Sequence, residues 1–119
     1  MDFQFDGLQE IMRRIESIGN NQQAKEKALD AGAEHFKRKL SANTVRSNIN
    51  HQHAADNVVI DKEGNHREVG YDKDHYYMKF SEFGTSKMSP KPVISPTFEN
   101  EVDKTEEAMA EVLRRELGL

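Results

Sequence analysis

The sequence predicts an α+β fold with an N-terminal helical hairpin, a short antiparallel sheet that includes a β-hairpin, and a long C-terminal helix packed on that sheet. Three observations support this prediction. Apolar residues recur at helical spacing near both ends of the chain, β-rich runs flank a glycine turn in the middle, and no repeat or linker divides the 119 residues. Helices that flank a group of strands favour α+β over a parallel α/β fold. We predict a single domain over residues 1–119.

The first helix is predicted by apolar residues at three- and four-residue steps. Asp6 precedes this pattern and predicts an N-cap, with Gln9 completing a capping-box-like pair. Gly19 is placed to end the helix in the left-handed conformation that glycine adopts readily. The predicted core face consists of Leu8, Ile11, Met12, Ile15 and Ile18.

A second helix follows, and its apolar stripe consists of Leu29, Ala33, Phe36 and Leu40. Small residues also lie along it, at Ala24, Ala28, Ala31 and Gly32. Small side chains let another element approach the helix backbone closely. We therefore expect the two helices to pack as an αα-hairpin.

The middle of the chain predicts strands. Two β-rich runs, 57–61 and 67–71, flank a Gly64-Asn65 pair, which supplies the positive φ angles of a hairpin turn. The segment "HYYMKFSEF" predicts a third strand with Tyr76, Met78 and Phe80 facing the core and Phe83 facing the other side. Gly84 ends this strand.

The last helix is predicted to begin at Ser95, a good N-cap, with Pro96 at the first helical position. Its acidic residues come early and Arg114 and Arg115 come late, as the helix dipole favours. Its apolar positions are Phe98, Val102, Met109, Val112 or Leu113, and Leu117.

Composition limits the function. Hydrophobic residues make up 35% of the chain against 32% charged, and the mean hydropathy is -0.87, so a monomer builds a thin core and an oligomer is expected. The net charge of -4 disfavours a protein that holds nucleic-acid backbones, since such binding needs clustered Lys and Arg. The opening "MDFQFDGLQE" has no apolar run typical of a signal peptide or membrane span. The chain has no cysteine, hence no thiolate ligand or nucleophile.

Histidines and carboxylates in the middle of the chain suggest an alternative, a metal-dependent hydrolase or nuclease, because these groups bind transition metals. They are His51, His53, Asp56, His66, Asp72, Asp74 and His75. Their spacing matches no established metal motif, and no phosphate-binding loop or nucleophile motif occurs. We therefore favour solvated loop histidines, and assign no catalytic, cofactor-binding or metal residue.

The segment "FSEFGTSKMSPKPVISPTFENEV" resembles a known family, the small head-tail joining or tail-completion proteins of long-tailed bacteriophages and prophages. "DGLQEIMRRIESIGN" and "AKEKALDAGAEHFKRKL" are similar to the first two helices of that family. The loop after the second helix departs from the family pattern, because "NTVRSNI" has no proline or glycine. The matching residues near the third strand are Glu82, Phe83, Gly84, Thr85, Ser86, Lys87, Met88, Pro92 and Pro96.

The resemblance implies a non-enzymatic virion protein, made in the host cytoplasm, that forms a homo-oligomeric ring, with a hexamer favoured. Its expected partners are the head connector or adaptor and the tail terminator or tail tube, with no membrane or sequence-specific nucleic-acid partner. The expected contact with these partners is a polar, proline-containing arm after the third strand. Proline lowers the entropy that such a segment loses when it becomes ordered on a partner. The alternative is a plain strand-to-helix crossover. The predicted partner-binding residues are Phe83, Gly84, Thr85, Ser86, Lys87, Met88, Pro90 and Pro92.

Overall fold

The chain folds as an α+β protein, which confirms the predicted class. The structure is a computed structural model and describes residues 4–5, 7–19, 21–44, 54–64, 66–72, 82–84, 86 and 92–119. Two short 3₁₀ segments, Glu16–Ile18 and Ala54–Asp56, accompany the main elements. Those elements are β1 (Gln4–Phe5), α1 (Leu8–Ile15), α2 (Gln22–Asn43), β2 (Val58–Glu63), β3 (His66–Tyr71) and α3 (Ile94–Glu116).

The sheet is antiparallel, with the strands in the order β1-β3-β2. β2 and β3 form the predicted β-hairpin, in register from Val58 opposite Tyr71 to Glu63 opposite His66. Gly64 in the turn has a φ of 55°, the positive value expected there. The two-residue β1 was not predicted, because so short a segment carries no periodic pattern. The predicted third strand lies largely outside the described residues, and with it the positions of Tyr76, Met78 and Phe80.

Helix α2 is the centre of the helical layer. It contacts α3 along much of its length, and it also contacts α1 and both strands of the hairpin. Gly32 lies at a tight contact with α3: a Cβ atom there would lie 2.5 Å from Met109 Sδ and 3.2 Å from Leu8 Cδ2. The prediction that small residues admit a neighbouring element is therefore confirmed.

The core lies between the helices and the inner face of the hairpin. Every side chain of the predicted core face of α1 except Ile18 is buried, and so is the whole apolar stripe of α2. The largest fully buried side chains are Tyr71, Phe36, Leu8, Ile11, Leu29, Leu40, Met109, Leu113, Val69, Thr97 and Thr105.

Two predicted details of the helix ends are wrong. Gly19 has a φ of 170°, which is extended rather than left-handed. A Cβ atom there would overlap Leu117 Cδ1, so any other residue would require the Leu117 side chain to shift. The N-cap of α1 is Gly7, without a side-chain cap, and Gln9 Oε1 instead accepts the Arg67 backbone N–H at 2.9 Å. Gln9 thus connects α1 to β3 instead of closing a capping box.

Candidate functional site

A buried carboxylate, Glu82, holds the start of α3. Glu82 is only 7% exposed. Oε1 accepts the backbone N–H groups of Val93 at 2.6 Å and Ile94 at 2.9 Å, and Oε2 accepts that of Ser95 at 3.1 Å. Three hydrogen bonds to one carboxylate, placed at the positive end of the helix dipole, compensate the cost of burying its charge. We call this arrangement the Glu82 clamp.

The clamp satisfies every N–H group that the first turn of α3 leaves without a helical partner. A helix has four such positions, here Val93 to Pro96. Glu82 accepts from the first three, and Pro96 has no N–H to satisfy. The next N–H, of Thr97, donates to Val93 O at 3.0 Å within the helix.

The predicted N-cap is therefore wrong. The N-cap is Val93, which makes no side-chain cap of its own, and Ser95 and Pro96 lie two and three positions further on, inside the first turn. The helix begins earlier than Ser95 because a carboxylate from a different segment supplies the cap. Pro96 remains compatible with this position, since the first turn needs no N–H from it.

The clamp also closes the base of the arm. Its hydrogen bonds join Glu82 and Val93, the residues that flank the segment 83–92 in the sequence. Gly84 has a φ of 76°, a value that favours glycine, and it turns the chain directly after Phe83. Glu82 and Phe83 themselves are helical, so the predicted third strand does not extend to residue 83.

Phe83, the first residue of the arm, is 72% exposed. In the described part of the chain the other exposed large apolar residue is Leu119, at the C-terminus and 75% exposed. Ser86 and Pro92 of the predicted partner-binding set are exposed as well. The remaining members of that set, Thr85, Lys87, Met88 and Pro90, lie outside the described residues.

Tyr71 connects the clamp to the core. Its hydroxyl lies 2.8 Å from Thr44 Oγ1, which also donates to Leu40 O at 2.7 Å. Burial raises the pKa of Tyr71 to about 12; the Thr44 hydrogen bond acts in the opposite direction, and the charge of Glu82 raises the value further. The phenol is therefore held neutral between the end of α2 and the clamp.

Only some of the histidines and carboxylates of the alternative metal site lie within the described residues. His66 Nε2 lies 2.7 Å from Glu68 Oε1 beside an open cavity of about 390 Å³ on the hairpin, whose lining also includes Asp61, Lys62 and Glu63. Within the described ranges no three His, Asp or Glu side chains are grouped so that they could hold a metal ion. The other predicted ligands that fall outside those ranges are His51, His53, Asp74 and His75.

The described helices include none with the length and apolarity needed to cross a membrane. Comparison of the chain with family models, curated proteins and solved structures finds no match.

Proposed function

We propose that the chain is a structural virion protein that joins the head connector to the tail of a long-tailed bacteriophage, acting as one subunit of a ring at the neck or tail end. On this proposal it is made in the host cytoplasm, becomes part of the particle and catalyses no reaction. The arm that begins at Phe83 is its contact with neighbouring proteins.

The observation that carries the proposal is the combination of an exposed aromatic residue with a buried clamp directly beside it. Large aromatic side chains dominate the binding energy of many protein interfaces. Phe83 is 72% exposed, whereas the adjacent Glu82 is fixed by three hydrogen bonds. A contact residue whose backbone is already held in place loses less entropy on binding.

The sequence supports the same proposal. The clamp residue and the exposed aromatic are the first two letters of the "EFGTSK" motif through which the chain resembles the phage family. Pro90 and Pro92 stiffen the same segment, and the thin core expected from the composition favours an assembled state. In a ring, each subunit uses two different faces that meet head to tail. A hexamer, with connector and tail-tube proteins above and below it, is the arrangement that we favour.

The proposal is tested by deleting the coding sequence from the genome that carries it, inducing particle production and counting joined particles by electron microscopy. We expect separate filled heads and complete tails, with joining restored by the wild-type chain. The Phe83→Ala variant should restore joining poorly. Leu119→Ala, which removes an equally exposed apolar side chain elsewhere, is the matched control and should restore it fully.

Two results would contradict the proposal. One is a normal yield of joined particles without the chain. The other is a genome that produces no phage-like heads or tails under any inducing condition, which would remove the structures that the chain is proposed to join.

A further inference from the structure

A small cavity lies where α1 meets α2. It has a volume of about 180 Å³ and is lined by Gln9, Met12, Arg13, Glu16, Lys25 and Leu29. Met12 and Leu29 are buried and form its apolar lining, whereas Arg13 is exposed and Glu16 is partly exposed at its rim.

The chemistry of this cavity suits an aromatic ring. A cavity on the order of 150 Å³ accommodates a benzene molecule, so the volume fits one phenyl group. The Met12 thioether can make the sulfur contacts with a ring that methionine favours. Lys25 Nζ, held 2.9 Å from Glu16 Oε1, brings an ammonium group to the mouth, where the negative face of a ring is attracted to cations, whereas the Arg13 guanidinium is engaged by Glu10.

From this complementarity we propose that Phe83 of one copy of the chain inserts into the α1–α2 cavity of the next copy. The inference rests on the proposed ring and identifies the two faces that would form it. Phe83 and the cavity are different surfaces of one subunit, and such a pairing repeats from copy to copy instead of stopping at a dimer. The Glu82 clamp acts as a positioning element, since it fixes the backbone that carries the ring.

The absence of cysteine allows a direct test by site-specific cross-linking. Ser86→Cys places a thiol on the exposed arm close to Phe83 without removing the ring, and Arg13→Cys places one on the rim of the cavity. The full chain carrying both substitutions is treated with a short bis-maleimide. We expect a ladder of covalent dimers, trimers and larger species on a denaturing gel.

Matched variants separate this pairing from other contacts. Each single-cysteine chain should remain monomeric on the gel, because residues 86 and 13 meet only each other. Adding Phe83→Ala to the double-cysteine chain should reduce the ladder about tenfold or more, the loss typical of removing an interface hot spot. Phe83→Tyr, which keeps the ring, should retain most of it, and Leu119→Ala should leave it unchanged.

Light scattering of the wild-type chain at the same concentrations distinguishes the possible failures. A wild-type ring without a covalent ladder, or a ladder that survives Phe83→Ala, overturns the Phe83–cavity pairing and leaves the proposed ring intact. A covalent dimer from the Ser86→Cys chain alone indicates a symmetric contact and also overturns it. A wild-type chain that is monomeric both in solution and in joined particles overturns the ring as well as the pairing.

Discussion

The interface between α2 and α3 and the base of the arm are built in opposite ways. Along α2 and α3, apolar side chains face inward, and the Met109 side chain fills the space that a Cβ atom would take at Gly32. At the base of the arm, the charged Glu82 is buried and the apolar Phe83 faces outward. The first region derives its stability from burial within one chain. The second uses hydrogen bonds to hold the start of a helix beside an apolar side chain that is 72% exposed.

The largest effect is expected in the first region. Met109→Ala removes a fully buried side chain that packs against Gly32 and should lower the free energy of unfolding by about 4 kcal/mol. Urea denaturation measures this loss. Glu107→Ala, an exposed position on the same helix, is the control and should change stability by less than about 0.5 kcal/mol.

Gly32→Ala sharpens this prediction. In the wild type the new methyl group would displace Met109, but in the Met109→Ala background it would occupy vacated space and gain about 1 kcal/mol of helix propensity. The change in the free energy of unfolding caused by Gly32→Ala should therefore be more favourable in the Met109→Ala protein than in the wild type, as expected for residues in contact. Equal effects in the two backgrounds would mean that Gly32 and Met109 do not limit the helix approach.

Tyr71, which lies between the two regions, predicts a loss of stability at alkaline pH. An unfolded tyrosine loses its proton near pH 10, whereas burial raises the pKa of Tyr71 to about 12. Its contribution is thus fully present below a pH of about 10 and is lost as the pH rises to about 12, by up to about 3 kcal/mol. Denaturation at a series of pH values measures the fall. Tyr71→Phe should lack this component, and an identical fall in both proteins would assign it to other groups.

A smaller and more local loss is expected from Glu82→Gln. The Gln side chain keeps one acceptor oxygen but presents an amide NH₂ to helix N–H groups, so part of the first turn of α3 loses its partner. The expected loss is about 2 kcal/mol, with faster amide exchange at Val93, Ile94 and Ser95. The pKa of Tyr71 should also fall, because the charge of Glu82 helps to raise it.

The control for this experiment is Glu107→Gln, which makes the same chemical change at an exposed position on α3. If Glu82→Gln and Glu107→Gln leave exchange at residues 93–95 equally unchanged, the clamp does not hold the start of the helix.

The same contrast between the regions determines what the sequence could predict. The helix faces follow local periodicity, so Leu29, Phe36 and Leu40 were correctly predicted to be buried. The clamp depends on a contact between residues more than ten positions apart, and a single Glu carries no pattern that indicates its partner. Ser95 was predicted as the cap because a local serine-proline pair is the stronger sequence pattern.

Gly19 shows this limit in another way. The glycine correctly indicated where the helix ends, but the reason for a glycine at this position is a contact with a distant part of the chain. Leu117, from the other end of the chain, occupies the space that a side chain would need, and no neighbouring sequence indicates this. Phe83, which was predicted to face away from the core in a strand, is exposed but has a helical backbone, and Phe80, which was predicted to face the core, lies outside the described residues.

The smallest effect on stability is expected from Phe83→Ala. Most of the ring is already in contact with water, so its removal should change the free energy of unfolding by less than about 0.5 kcal/mol, roughly a tenth of the loss from Met109→Ala. Because joining of heads and tails should nevertheless fall, the variant separates folding from assembly. Thermal unfolding of the purified chain measures the first, and particle counts measure the second. A loss above about 1 kcal/mol in the isolated subunit would show that Phe83 braces its own chain, and the contrast between the two regions would then disappear.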